Sequence, residues 1–96
     1  MEVVFADEHL AAVDAGTASL GLGQEVDEDF RQLIAFILEA ADERDIRAMR
    51  SLHYEKLKDR GGAHSLRIHG PWRLIFRLED KGPSKKFVVV GVEDYH

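Results

Sequence analysis

The hydrophobic period of this chain changes near residue 52. Before that point apolar residues recur at helical spacing, most clearly at Phe30, Leu33 and Ile37. After it, apolar and polar residues alternate through 65–69 and 72–78. A period near 3.6 predicts amphipathic helices, whereas a period of two predicts strands with one covered face. Helices followed by strands in a short chain predict an α+β fold, with the helices packed on one face of a small antiparallel sheet.

The first half predicts two to three helices. Asp7 opens a short helical pattern, and the glycine-rich segment 16–24 is typical of a loop. The longest helix follows, with three acids at 27–29 in its first turn, where the helix dipole favours negative charge. A shorter helix is expected over 43–50, with Asp42 as its N-cap.

The second half predicts a three-strand antiparallel meander. A short N-terminal strand at 3–5 can join an edge of this sheet. We expect the 96 residues to form a single domain, 1–96. The expected strands are 65–69, 72–78 and 87–93, with turns at Gly70-Pro71 and at 79–85.

Strand alternation predicts a cationic sheet face. If the apolar residues of the first two strands face the helices, four polar residues project from the opposite side. No acid within these two strands balances them, as expected of a surface that binds phosphate. The alternative interpretation is an ordinary solvated face. The four residues are Arg67, His69, Arg73 and Arg77.

Charge is divided unevenly along the chain. The net charge is −5, yet residues 1–45 carry −10 and residues 46–96 carry +5. This division predicts a basic C-terminal surface for a polyanion or an acidic partner. The overall pI of about 5.5 argues against strong non-specific binding of nucleic acid.

Several classes of site have no support in the sequence. Cysteine is absent, and no signal peptide or membrane-spanning run is present, so we expect a cytoplasmic protein without membrane contact. There is no P-loop, dinucleotide fingerprint or zinc spacing. His64 and His69 would point to opposite faces of a strand and so could not bind one metal ion together. We therefore expect no metal and, because no cofactor motif is present, no cofactor.

The remaining chemistry is metal-free acid–base catalysis beside cations. RNA can be cut in this way because its own 2′-OH is the nucleophile. Such a site needs a base, an acid and cations that stabilise the charge of the transition state. The residues that can supply these groups are His53, Lys58, Arg67, Arg73, Asp94, Tyr95 and His96.

The second half of the chain resembles the HigB branch of the RelE/ParE toxin superfamily. The resemblance rests on "LHYEKLKDRGGAHSLRIHGPWRLIFRLED" at 52–80 and on the terminal "EDYH" at 93–96. Members typically show a Leu-Lys-Gly-Asp-Arg stretch, a Ser-(Leu/Ile)-Arg-(Ile/Val) strand, an aromatic-Arg pair and a C-terminal Asp-Tyr-His. Here the glycine of the first stretch is missing, and Tyr54 stands where many members have proline.

The resemblance implies a RelE-like fold and an endoribonuclease that cleaves mRNA on the translating ribosome. It also implies a cognate antitoxin, expected to be a helix-turn-helix DNA-binding protein. By position, His53, Asp94, Tyr95 and His96 would form the catalytic group, and Arg73 would stabilise the transition-state phosphate. The expected RNA contacts are Lys56 or Lys58 with Arg67, and His69 and Arg77 on the cationic face.

Two other functions remain open. The first is a non-enzymatic, ParE-like inhibitor of DNA gyrase, and the second is a degenerate member that only binds its antitoxin. The antitoxin surface is also open. The acids at 25–29 and 39–45 can seat a basic helix, while the cationic sheet face can seat an acidic one.

Overall fold

The computed structural model describes residues 1–80 and 85–94. In this part of the chain three helices pack against one five-stranded sheet, so the predicted α+β class is confirmed. A short 3₁₀ turn at Arg50–Leu52 follows the last helix. The elements are β1 (Glu2–Phe5), α1 (Glu8–Asp14), α2 (Gln24–Glu39), α3 (Glu43–Ala48), β2 (Glu55–Lys56), β3 (His64–His69), β4 (Trp72–Glu79) and β5 (Lys86–Asp94).

The sheet has the order β1-β5-β4-β3-β2. The three predicted strands form the antiparallel meander β3-β4-β5. The N-terminal strand joins an edge, as expected, and runs parallel to β5. The opposite edge strand, β2, was not predicted, because two residues are too few to show alternation.

Helix α2 begins earlier than its acids suggested. It starts at Gln24, after Gly23, whose φ of 110° is in a region that favours glycine. Asp27 is buried, and its carboxylate accepts a 2.9 Å hydrogen bond from the Leu20 N–H. This bond lowers the pKa of Asp27, and it ties the preceding loop to the first turns of the helix.

Helix α3 has the predicted N-cap. The Asp42 carboxylate accepts hydrogen bonds from the backbone and the side chain of Arg44. These bonds, the side-chain one above all, lower the pKa of Asp42 to about 2. The helix ends at Ala48 rather than continuing to residue 50.

The main core lies between the helices and one face of the sheet. Leu66, Leu74 and Phe76 are fully buried there, as the alternation predicted. Phe76 stacks on Phe87 of β5 with ring centroids 4.1 Å apart. The alternating apolar residues therefore fix which face of the sheet the helices cover.

The opposite face is not open throughout, contrary to expectation. Ile75 on that face is only 2% exposed, because Leu57 and Ala63 pack against it. The segment 57–63 therefore covers part of the helix-free face.

Candidate nucleic-acid interface

Arg67 and Arg73 are paired across β3 and β4. Directly opposed residues of antiparallel strands have Cα atoms about 4.5–5.5 Å apart and side chains on the same face. Among the described residues, exposed Arg67 has no hydrogen bond and no ion pair. This arginine pair forms the centre of the candidate site.

Arg73 is held by several neighbours. Its side chain is only 11% exposed. The Nε–H donates to Ser65 Oγ at 2.9 Å, and Nη2 donates to the backbone carbonyl of His53. The Glu55 carboxylate lies 3.9 Å from Nη2. A guanidinium fixed in this way needs little reorganisation to receive an anion.

His53 is brought to Arg73 by the backbone. It ends the 3₁₀ turn with a left-handed conformation, φ 48°, and its side chain is exposed. The reversal of the chain at this residue presents its carbonyl to Arg73. Two of the predicted catalytic residues are therefore adjacent, although they are 20 positions apart in sequence.

Tyr54 anchors this segment to the core. Its hydroxyl lies 3.2 Å from His64 Nδ1, and the guanidinium of Arg47 lies 4.6 Å from the centroid of its ring. The His64 ring in turn stacks on Phe76. Burial, with the nearby cations Arg47 and Lys56, lowers the pKa of His64. Tyr54 thus has a structural role, because it connects the segment after His53 to the core.

The segment 57–63 is clamped to the sheet beside the arginine pair. The Arg60 guanidinium makes a bidentate salt bridge with the Glu93 carboxylate of β5, and the shorter N–O distance is 2.6 Å. Glu93 is the register neighbour of Arg73, so this ion pair engages the acid nearest to Arg73 on β5. Arg77 donates to the Gly61 carbonyl. Arg77, predicted as an RNA contact, therefore also supports this segment.

The two candidate lysines lie at the border of the same region. Lys56 in β2 pairs with His64 of β3, and its side chain is exposed. Lys58 lies in the covering segment and is also exposed. Both line a cavity with Glu55 and Arg60. The choice between the two lysines stays open.

His69 does not lie where alternation placed it. The register shifts between Arg67 and His69, and a bulge of this kind turns a side chain away from its expected face. The His69 Nδ1 lies 2.7 Å from an Asp29 carboxylate oxygen, and Nε2 lies 3.5 Å from Glu25. The predicted placement on the arginine face is therefore wrong, and His69 connects β3 to α2.

The end of β5 lies next to Arg73 along the sheet. Asp94 pairs with Trp72, next to the Arg73–Glu93 pair, and is exposed. Tyr95 and His96, the other predicted catalytic residues, lie outside the described residues. The structure thus brings His53, Arg67 and Arg73 together, whereas the register places Asp94 on the face of Trp72, opposite to that of Arg73.

Two further observations concern metal ligands and membrane spans among the described residues. Within 1–80 and 85–94, no group of three or more acids and histidines is arranged to hold a metal ion. Within the same ranges, no helix has both the length and the apolar character to cross a membrane.

Sequence reasoning missed four supporting residues: Ser65, Glu55, Arg60 and Glu93. Ser65 had a usable signal, because alternation places it on the face of Arg73 and its burial beside an arginine implies a hydrogen bond. The Arg60–Glu93 contact joins residues 33 positions apart, and no local pattern indicates it.

Comparisons with known proteins find a similarity in structure but none in sequence. No family model matches the chain, and no curated protein sequence matches it. Among solved structures, a YoeB/ParE toxin from Agrobacterium tumefaciens superposes with a TM-score of 0.60 at 18% identity. The alignment covers 100% of both chains. The described part of the chain therefore has the fold of this YoeB/ParE toxin.

Proposed function

We propose that this protein is the toxin of a toxin–antitoxin system. We propose further that it is an endoribonuclease, which cleaves mRNA on the translating ribosome. The observation that carries the proposal is the Arg73 guanidinium, fixed by Ser65 and His53 beside exposed Arg67. Two adjacent cations on a sheet face form a receptor for a phosphodiester. The toxin fold and the ordered motifs at 52–80 and 93–96 support the same conclusion.

The proposed reaction needs no group beyond the protein and the RNA. A base removes the proton of the 2′-OH, and the resulting oxygen attacks the adjacent phosphorus. The bond from phosphorus to the 5′ oxygen breaks, and an acid donates a proton to that oxygen. The products are a 2′,3′-cyclic phosphate and a 5′-hydroxyl. Histidine suits both proton transfers near neutral pH.

The residues are assigned to these roles by position. His96 would donate the proton to the leaving oxygen, while His53 or Asp94 would act as base, with Tyr95 as a further member of the group. Arg73 would stabilise the charge of the phosphorane-like transition state. Arg67 and one of the two lysines, Lys56 or Lys58, would bind the flanking RNA backbone.

The alternative functions share the fold. A ParE-like gyrase inhibitor would not need the tail at 94–96, and a degenerate member would bind an antitoxin without toxicity. We favour the nuclease because Arg73, at 11% exposure, is bonded to the carbonyl of His53, and the resemblance assigns both residues to the catalytic group.

Deletion of Tyr95 and His96 tests the proposal in cells. We expect induction of the intact chain to arrest growth and to produce new mRNA 5′ ends, and the truncated chain to do neither. Mapping of RNA ends and a gyrase supercoiling assay on the same cultures separate the functions. Growth arrest by the truncated chain with intact mRNA would refute the nuclease, and inhibited supercoiling would support the gyrase function.

A further inference from the structure

An apolar groove lies between α2 and the segment 45–52. It consists of two adjoining cavities of about 250 and 300 Å³, which share Phe36 and Met49. Met49 is 43% exposed, although it is apolar. The remaining apolar lining is supplied by Leu33, Ala40, Ala48, Leu52 and Ile68.

The length of the groove matches that of a short helix. Its lining on the α2 side extends from Asp29 to Ala40, which corresponds to about 17 Å at 1.5 Å per residue. Three turns of an amphipathic helix have this length and present apolar residues at i, i+3, i+4 and i+7.

The rim of the groove is acidic. Asp29, Glu39 and Asp45 lie along it, and Arg67 lines one end. Asp29 contacts His69, and Asp45 accepts from the Ala41 N–H, whereas Glu39 has no ion pair among the described residues. The net negative rim complements a segment that carries lysine or arginine beside its apolar stripe.

The same charges argue against a second copy of this chain. A symmetric dimer through the groove would place the acids of both copies against each other, and like charges across an interface destabilise it. The cationic sheet face does not fit the groove either, because its exposed residues are polar rather than apolar.

We propose that this groove binds one amphipathic helical segment of a partner protein, apolar on one face and basic along its flanks. Because Arg67 lines the end of the groove and also belongs to the arginine pair, a bound segment would restrict access to that arginine. The identification of the partner as the neutralising antitoxin rests on the proposed function, whereas the binding of a helix in the groove is independent of that function.

Stapled helical peptides test the groove directly, because stapling removes the unfavourable nucleation of a short helix. Three synthetic peptides of about four turns are compared by fluorescence anisotropy with the full chain. The first has an apolar stripe with lysine flanks, the second has the same stripe with glutamate flanks, and the third has lysine flanks with a scrambled stripe. Only the first is expected to bind.

Two matched variants locate the binding. Met49→Lys places a cation in the groove, whereas Leu38→Lys makes the same change at an apolar residue of α2 that is 53% exposed and lies outside the groove. We expect Met49→Lys to weaken binding about tenfold or more, and Leu38→Lys to change it less than about twofold. Circular dichroism and thermal melting confirm that both variants fold.

Three results would overturn the proposal: no binding of the first peptide, equal binding of the glutamate-flanked peptide, or equal effects of the two variants. None of these measurements involves RNA. A failure of the groove is therefore distinguishable from a failure of the nuclease, which the tail deletion tests separately.

Discussion

Replacement of Ser65 by alanine tests whether the Ser65 hydroxyl holds the Arg73 guanidinium in place. Ser65 is fully buried, and its Oγ accepts the Arg73 Nε–H at 2.9 Å. Because Arg73 is 11% exposed, water replaces this acceptor poorly. Loss of a hydrogen bond to a charged donor costs about 1.5–3 kcal/mol of unfolding free energy. For a chain of this size, about 2 kcal/mol corresponds to a fall in Tm of roughly 8–16 °C.

A double-mutant cycle isolates the contact. Urea unfolding of Ser65→Ala, Arg73→Ala and the double variant gives the coupling energy between the two residues, expected at about 1–3 kcal/mol. Ser51→Ala is the control, because Ser51 is exposed, and its unfolding free energy is expected to change by no more than about 0.5 kcal/mol. Additive effects of the two single substitutions would refute the idea that Ser65 positions Arg73.

Two further predictions concern pH. Asp42→Asn keeps the N-cap but removes the charge. Wild type should therefore be the more stable protein above pH 3.8, and the difference in Tm should vanish as pH falls toward about 2. A difference in Tm that does not change with pH would contradict this. The pKa of His64 lies below 6.5 in the folded chain, so its neutral form is favoured and stability should fall as pH drops below 6.5. His64→Phe should flatten that pH dependence, and an unchanged slope would contradict the assignment.

The fold was largely predictable because its signals are local. Helical spacing at 30–37 and alternation at 65–78 each follow from which side chains contact the same core. The start of α2 was not predictable in this way. The three acids were placed in the first turn because of the helix dipole, but the helix begins at Gln24, and Asp27 is buried and bonds to Leu20 of the preceding loop. Such a contact depends on how the loop folds back.

The candidate site was predictable in its residue types but not in its details. Alternation placed Arg67 and Arg73 on one face, and the strand register agrees. It failed for His69, because a bulge changes the face of a side chain without a clear signal in "LRIHG". It also assigned Arg77 to an open surface, although Gly61 of the covering segment accepts its hydrogen bond. Contacts between distant segments decided both outcomes.

The most direct test of the central claim is the rate of mRNA cleavage on purified translating ribosomes by wild type and by Arg73→Ala. Arg44→Ala is the control, because its exposed side chain pairs with Asp42 at the start of α3. If Arg73 stabilises the transition state, its loss should reduce the rate about 10²- to 10³-fold, while the control cleaves like wild type. Cleavage by Arg73→Ala at the wild-type rate would contradict the account.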